Sequence, residues 1–170
     1  MPRWREVSRL LLEVNKETHV QASQQAAWAL LRDVPRLGGC IPKVTDLATV
    51  EADRRYTAVV ADKLGPFGLS VPVQIDIESI EAPRRILAHL SGNDSKGAAR
   101  VRGTLEAIAE STAGGDTATT LQFTMKLEVL GRLAALGAAP MRRRADDIFS
   151  EFVKRVRTEL EPQPSAGARA

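Results

Sequence analysis

Apolar residues occupy alternate positions in the middle of the chain, between Leu69 and Val129. Residues 69–77 have an apolar side chain at every odd position, and residues 121–129 repeat this arrangement. Strict alternation is typical of strands with one apolar face and one solvent-facing face, which pair in antiparallel sheets. The pattern therefore predicts a curved antiparallel sheet whose apolar face needs a cover.

The C-terminal part of the chain has a helical period instead. Between Arg132 and Leu160 apolar residues recur at steps of three and four, which predicts a long amphipathic helix over the sheet. Pro140 lies inside this segment and has no amide hydrogen to donate, so we expect a kink or a break near Gly137. One helix seldom fills the space beneath a large curved sheet. We therefore expect an apolar pocket of roughly 300 Å³ or more between the two.

Turn-forming residues separate the remaining elements. Ser23 is a predicted N-cap for a helix over residues 24–32, Pro35 is expected to end that helix, and a second short helical turn is expected within residues 36–42. The short connections between strands predict antiparallel neighbours and an α+β fold with six or seven strands. The predicted strands cover residues 10–20, 45–50, 56–61, 69–77, 85–91, 99–108 and 117–129.

Length and composition indicate one domain. A chain of 170 residues is long enough to bury roughly 70 % of the surface that its unfolded form exposes. We assign residues 10–160 to this domain, residues 1–9 to an N-terminal extension and residues 161–170 to a disordered tail. No apolar run approaches the roughly 20 residues that span a bilayer, and the single cysteine excludes an internal disulfide. We therefore expect a cytoplasmic protein.

The charge of the chain does not indicate a nucleic-acid partner. A net charge of +3 permits a weak attraction to acidic surfaces. The aromatic residues are not interleaved with basic positions, as a base-stacking platform requires. One dense basic feature is either a solvated helix face or a surface that approaches anionic lipid or an acidic protein. It comprises Arg142, Arg143 and Arg144, continued by Lys154, Arg155 and Arg157.

Residues that could carry chemistry are isolated from one another. His19 and His89 lie in predicted strands without metal-ligand spacing, and no glycine-rich segment joins a strand to a helix as a phosphate-binding loop does. Cys40 has apolar neighbours and is expected to be a buried, inert thiol. We predict no catalytic residue, metal site or tightly bound cofactor. An enzyme would need His19, His89 or Tyr56 to point into the pocket beside another titratable group.

A series of short segments is distributed along these predicted elements. The series comprises Trp28 with Leu31-Arg32-Asp33 and Leu37, Cys40-Ile41-Pro42, Leu64-Gly65-Pro66-Phe67, residues 97–103, the strand from Thr119, residues 130–137, and Phe149 with Phe152. In order and spacing it resembles the G-subunit family of carbon monoxide dehydrogenase, within the START-like or Bet v 1-like helix-grip superfamily. The resemblance covers about residues 12–160. Two features depart from the family pattern: Lys43 stands where glycine is common, and the two phenylalanines are not adjacent.

The resemblance implies a helix-grip fold, in which the curved sheet wraps around the C-terminal helix. It also implies a non-catalytic accessory protein that binds a lipophilic molecule such as a quinone. Such a protein would assist membrane recruitment or maturation of a molybdenum hydroxylase of the carbon monoxide dehydrogenase type. Two rival hypotheses remain open: a cyclase-like or dehydratase-like enzyme that uses the same cavity, and a protein-interaction adaptor with a filled core.

Two sets of site residues follow from this hypothesis. The pocket lining is predicted to comprise Val59, Phe67, Val71, Val73, Phe123, Met125, Leu133, Leu136, Met141 and Phe149, each of which could also be ordinary core. Loops at one end of a helix-grip sheet would surround the entrance and dock on a partner enzyme or the inner face of the cytoplasmic membrane. The predicted docking residues are Ile41, Lys43, Lys63, Leu64, Lys96, Arg132, Arg142, Arg143 and Arg144. Alternatively, Phe67 simply plugs the end of the core.

Overall fold

The protein is a seven-stranded antiparallel sheet with two short helices and a long C-terminal helix, as the sequence predicted. The computed structural model describes residues 9–64, 67–94, 99–112 and 117–161. The strands are β1 (Arg9–Val20), β2 (Val44–Glu51), β3 (Arg55–Leu64), β4 (Phe67–Glu81), β5 (Arg85–Asn93), β6 (Arg100–Ser111) and β7 (Thr119–Leu130). The helices are α1 (Gln24–Arg32), α2 (Val34–Gly38), a 3₁₀ helix (Arg132–Leu136) and α3 (Ala138–Leu160). The strand order in the sheet is β1-β7-β6-β5-β4-β3-β2.

The two short helices begin at side chains that cap them. Ser23 Oγ accepts a hydrogen bond from the amide of Ala26 at 3.1 Å, which confirms the predicted N-cap of α1. Asp33 Oδ1 accepts one from the amide of Arg36 at 3.2 Å and caps α2. Pro35 lies in the first turn of α2, where a missing amide hydrogen costs little. α1 covers the predicted residues and ends before Pro35, whereas the second helix begins at Val34, earlier than expected.

The predicted break in the C-terminal helix occurs at Gly137. Its φ of 94° lies in the left-handed region that favours glycine, and Gly131, before the 3₁₀ helix, has a φ of 95°. Pro140 lies in the first turn of α3, where an amide has no acceptor within the helix. The 3₁₀ helix and α3 are therefore separate pieces joined at a glycine.

The pairing register defines an inner and an outer face of the sheet. Directly paired residues share a face, so the odd residues of β7 lie beside the even residues of β1 on the inner face. The alternation predicted for residues 69–77 and 121–129 is confirmed by this register. In β4 a bulge between Ile77 and Ser79 lets the strand continue to Glu81, beyond its predicted end.

Antiparallel pairing places alternate connections at the same end of the sheet. We term the end that holds the start of β1 and the end of β7 the proximal end, and the opposite one the distal end. The connections β3–β4, β5–β6 and β7–3₁₀ lie at the proximal end. Lys43, just before β2, is nearby because its carbonyl accepts a hydrogen bond from the amide of Ala61 at 2.8 Å. The described strand ends that flank these loops, and Lys43, therefore lie in that part of the sheet, whereas Cys40 and Ile41 pack in the distal half of the inner face.

The inner face carries two separate groups of buried apolar residues. The distal cluster joins the end of β1, α1 and the C-terminal half of α3, and includes Val20, Trp28, Leu31, Leu121, Phe123, Phe152 and Val156. The proximal cluster joins the 3₁₀ helix and the start of α3 to the sheet, and includes Leu12, Val71, Val73, Val129, Leu133 and Met141. The part of the inner face where these two clusters approach each other holds the candidate site.

Candidate functional site

Two rows of apolar side chains cross the inner face where the distal and proximal clusters approach each other. Leu12 belongs to the proximal cluster, Leu90 and Leu127 pack against it, and Ile77 packs against the distal cluster. Each row consists of residues that stand directly opposite each other in the register, where side chains on one face are neighbours. The first row is Val14, Met125, Leu105, Ala88 and Ile77. The second row is Leu12, Leu127, Gly103, Leu90, Ile75 and Tyr56. The Tyr56 hydroxyl is the one polar side-chain group in these rows.

Several of these side chains stay partly exposed although they lie on central strands. Met125, Leu105, Leu90 and Ile75 all have intermediate exposure. A sheet face covered completely by a helix would bury aliphatic side chains at such positions. The middle of the inner face is therefore apolar and only partly covered. We term the surface formed by the two rows the central groove.

Three phenylalanines border the central groove on its distal side. The ring of Phe123 meets that of Phe152 edge to face, with 4.9 Å between centroids. Phe149 lies 6.3 Å from Phe123 and 5.7 Å from Phe152, also centroid to centroid. These contacts hold the middle of α3 over β7.

Charged residues attach α3 to both sides of the sheet. On β3, the Asp62 carboxylate accepts hydrogen bonds from Arg144 Nε at 2.8 Å and Arg144 Nη2 at 2.7 Å. On β1, Lys16 Nζ lies 2.6 Å from Asp146 Oδ1. Lys16 pairs with Phe123 and Asp62 pairs with Leu69, so both residues occupy inner-face positions. The start of α3 is thus tied to two strands on opposite sides of the central groove.

The environment of Asp62 keeps this carboxyl ionised. The hydrogen-bonded guanidinium of Arg144 lowers the pKa of Asp62 below its ordinary value of 3.8, although burial alone would raise it. The amide of Lys63 donates a further hydrogen bond to the same carboxylate at 2.7 Å. The side chain of Asp62 is only 7 % exposed. At neutral pH the Asp62–Arg144 pair is therefore a charged, largely enclosed contact.

Lys16 and Asp62 were absent from the predicted site. Their signal in the sequence is a charged residue at the apolar phase of a strand. In β1 the inner positions run Leu10, Leu12, Val14, Lys16, and in β3 they run Tyr56, Ala58, Val60, Asp62. A charge that interrupts such a series needs a partner, and here α3 supplies it.

The structure distributes the predicted lining residues over the groove and its two borders. Met125 lies in the central groove itself. Phe123 and Phe149 lie on the distal border, whereas Val71, Val73, Leu133, Met141 and the partly buried Leu136 belong to the proximal cluster. The side chain of Phe67 lies outside the described residues. The predicted pocket lining beneath α3 therefore remains a proposal for these positions.

Among the predicted lining residues, Val59 is the exception, because it lies on the outer face. Val59 pairs with Pro72, whereas the inner residue Val71 pairs with Val60. The sequence offers two adjacent valines here, and a shift of one residue exchanges the two faces of a strand. Val59 instead lines an open depression of about 410 Å³ on the outer face, with Asp46, Thr57, Pro72, Gln74 and Ser91.

The two histidines do not meet the condition set for an enzyme. His19 lies on the outer face of β1, where its Nδ1 is 2.9 Å from Thr120 Oγ1. His89 is also on the outer face and contacts Glu78. Tyr56 does face inward, but its hydroxyl accepts a hydrogen bond from the amide of Asp53 at 2.8 Å, in the β2–β3 turn.

Cys40 has the environment of an inert thiol. It is buried in the distal cluster, and burial raises the pKa of the Cys40 thiol. Within the part of the chain that the structure describes, no three His, Cys, Asp or Glu side chains are grouped so that they could hold a metal ion. None of the described helices combines the length and the apolar character needed to cross a membrane.

The predicted docking residues differ in their surroundings. Lys43, Lys63 and Arg132 are exposed or partly exposed and lie in or beside the proximal connections. Ile41 is only partly exposed and packs against the distal cluster, so it is not a free apolar tip. Leu64, by its side chain, and Lys96 lie outside the described residues.

The basic residues of α3 form a mixed surface. Arg144 binds Asp62, Arg155 binds Glu151 at 3.1 Å, and Arg157 lies 3.6 Å from Glu161. The last two pairs join residues four positions apart on α3, and ion pairs of this spacing are typical of a solvated helix face. Arg142 and Arg143 are exposed in the first turns of α3, next to the proximal end. These two arginines therefore extend the exposed positive charge of that end.

A family model decides the assignment of the chain. The model described as the G subunit of carbon monoxide dehydrogenase (CoxG) matches residues 17–161. The chain belongs to the CoxG family. Among curated proteins, none matches this CoxG family member.

Solved structures share the fold of this CoxG family member. A conserved protein from Geobacillus kaustophilus has a TM-score of 0.75 at 23% identity, over 87% of this chain and 94% of its own. A START superfamily protein from Mycobacterium smegmatis has a TM-score of 0.67 at 15% identity, over 87% and 96%. Norcoclaurine synthase from Thalictrum flavum, solved with dopamine and hydroxybenzaldehyde, has a TM-score of 0.57 at 9% identity, over 89% and 87%. These similarities confirm the START-like helix-grip fold.

Proposed function

We propose that this protein is a non-catalytic carrier of an apolar small molecule, held in the central groove beneath α3. The observation that carries the proposal is the pair of apolar rows whose central members, Met125, Leu105, Leu90 and Ile75, stay partly exposed on central strands. Ligand sites are typically concave and mostly apolar, with few polar groups. A quinone or a similar isoprenoid fits this lining, because its bulk is hydrocarbon and it needs no ionic partner.

Two further observations support an accessory role. Membership of the CoxG family supports a role beside carbon monoxide dehydrogenase, and we propose molybdenum hydroxylases of that type as the partner class. Exposed Lys63, Arg132, Arg142 and Arg143 at the proximal end would favour reversible attachment to an anionic membrane. The carrier would then exchange its cargo at the inner face of the cytoplasmic membrane.

A tryptophan placed in the central groove tests the location of the ligand. Leu105→Trp should fill the groove, whereas Thr104→Trp puts the same ring on the outer face of the same strand. We expect Leu105→Trp to weaken binding of the neutral dye N-phenyl-1-naphthylamine by at least about tenfold, roughly 1.4 kcal/mol. Thr104→Trp should bind as the unmodified protein does. Equal dye affinity in all three proteins, with the folds intact, would refute the groove as the binding site.

The ligand class needs a separate experiment. Native mass spectrometry of the protein isolated from its own host should show an additional mass, and solvent extraction should release a quinone or another isoprenoid. Decylubiquinone should displace the dye competitively from the unmodified protein. Dye binding that decylubiquinone leaves unchanged would exclude a quinone as cargo while leaving the groove as an apolar site.

A further inference from the structure

Two ion pairs hold one short segment of α3 from opposite sides of the sheet. Arg144 binds Asp62 on β3, and Asp146, two residues further, binds Lys16 on β1. In the sheet order four strands separate β1 from β3. We term these two pairs the ionic clamp. The clamp spans the central groove at the start of α3.

The two pairs differ in strength and in access to solvent. The Asp62–Arg144 pair is bidentate, and the carboxylate side chain is 7 % exposed. Bidentate guanidinium–carboxylate pairs are stronger than single contacts, and enclosed pairs are less screened by salt. The Lys16–Asp146 pair is a single contact whose aspartate is 53% exposed, so salt weakens it more. The clamp therefore has one strong and one weak side.

Apart from the clamp, the N-terminal half of α3 is only lightly attached. The buried residues of α3 are Met141, Phe152 and Val156, of which Met141 alone lies in the first half. The C-terminal half is anchored by Phe152 and Val156 in the distal cluster. Gly137, with its φ of 94°, connects the first half to the 3₁₀ helix. A glycine can change its backbone angles there at little steric cost.

We propose that the ionic clamp controls exchange of the groove contents, with residues 138–147 moving away from the sheet when both ion pairs open. This inference rests on the proposed function, because it assumes that a molecule enters and leaves the central groove. The clamp keeps the groove covered when the pairs are formed. Screening of the charges, or a competing charged surface near Lys16 and Asp62, opens it.

Hydrogen exchange tests the movement without any ligand. We expect Asp62→Asn to raise the exchange rate of amides in residues 141–147 by about tenfold, roughly 1.4 kcal/mol, relative to amides in residues 152–160. Asp146→Asn should have a smaller effect, and the double variant the largest. Glu151→Gln is the matched control, since its partner Arg155 lies on the same helix. Exchange that is unchanged in Asp62→Asn and in the double variant would overturn the clamp.

Dye release then tests the control of exchange. N-phenyl-1-naphthylamine carries no charge, so the clamp substitutions should change its release rate more than its affinity. We expect faster release from Asp62→Asn and from the double variant, with Glu151→Gln unchanged, and partial recovery in the charge-swapped Asp62→Arg/Arg144→Asp protein. Equal release rates despite faster amide exchange would overturn the proposal. Absence of dye binding in every protein would instead refute the proposed function, and hydrogen exchange would still decide whether the clamp holds α3.

Discussion

Gly103 on β6 lies so close to β7 that a Cβ atom there would stand 1.9 Å from the carbonyl oxygen of Lys126. Gly92, on the neighbouring strand β5, is also crowded, since its Cβ would lie 2.7 Å from Val73 Cγ1. Glycine within a strand permits such close approach of backbones where a sheet bends. Gly103 belongs to the central groove, so the same residue shapes the groove and allows the strands to approach.

Gly103→Ala should therefore be strongly destabilising. The added methyl group meets backbone that cannot move without disturbing the β6–β7 ladder, and we expect a loss of at least about 3 kcal/mol in the free energy of unfolding. Gly68→Ala is the matched control, because nothing lies within 4 Å of its Cβ position. Urea denaturation of the three proteins measures both effects. A Gly103→Ala protein as stable as the Gly68→Ala protein would contradict the close approach.

Much of the fold can be read from the sequence, because strand and helix periods are local properties. Residues 121–129 alternate without interruption, so both the strand and its inner face were predicted correctly. Ser23 and Gly137 act through local backbone geometry, so the start of α1 and the break before α3 were predictable as well. The order of these elements also sufficed to identify the helix-grip fold.

The site was less predictable, because it depends on which face each residue takes. Val59 and Val60 are equally apolar, and only the pairing of β3 with β4 decides that Val60 faces inward. The bulge after Ile77 changes the phase of β4 in a way that alternation alone does not show. The partners of Lys16 and Asp62 lie on α3, more than 80 residues further along the chain. Such pairs become visible only when the helix is placed on the sheet.

The Asp62–Arg144 pair predicts how stability depends on pH. Because Arg144 lowers the pKa of folded Asp62 below 3.8, the pair contributes fully above that value. Its contribution is lost as the pH falls through the lowered pKa of the folded protein, since protonation removes the charge that Arg144 binds. Above about pH 5 we expect the unmodified protein to exceed Asp62→Asn by about 2 kcal/mol in the free energy of unfolding.

Urea denaturation at a series of pH values measures this difference. The difference between the two proteins should shrink below pH 3.8, the ordinary pKa of the aspartate side chain. Comparing the two proteins at each pH cancels the titration of all other carboxyl groups that the substitution does not affect. The expectation fails if the difference is the same at neutral and at acid pH.

Replacement of the isolated reactive residues should leave ligand binding unchanged. His19 and His89 lie on the outer face, and Cys40 is enclosed in the distal cluster, so none of the three lines the central groove. We expect His19→Ala and His89→Ala to bind N-phenyl-1-naphthylamine as the unmodified protein does, and Cys40→Ala to lose stability but not affinity. Titration of the folded variants with the dye measures this. Loss of a measurable turnover in His89→Ala, with the fold preserved, would favour an enzyme instead.

Exposed positive charge at the proximal end predicts where the protein attaches to a membrane. Lys63 and Arg132 lie beside the proximal connections, whereas Arg54 and Arg84 lie in turns at the distal end. A basic residue near an anionic bilayer contributes about 1 kcal/mol, so reversing two such charges should weaken vesicle binding by roughly 30-fold or more. We therefore expect Lys63→Glu/Arg132→Glu to lose co-sedimentation with anionic vesicles, while Arg54→Glu/Arg84→Glu retains it.

Vesicles without anionic lipid separate the electrostatic contribution from apolar insertion. Binding to neutral vesicles should be weak in all these proteins, and Phe67→Ser should reduce the remaining binding if this side chain inserts. Equal loss of binding in the proximal and distal variants would show that net charge alone matters and that the proximal end is not the docking surface. Selective loss in the proximal variant would place the membrane beside the start of α3, near the Asp62–Arg144 side of the ionic clamp. Attachment to the bilayer and opening of the strong side of the clamp would then involve the same end of the protein, since anionic lipid competes with Asp62 for Arg144.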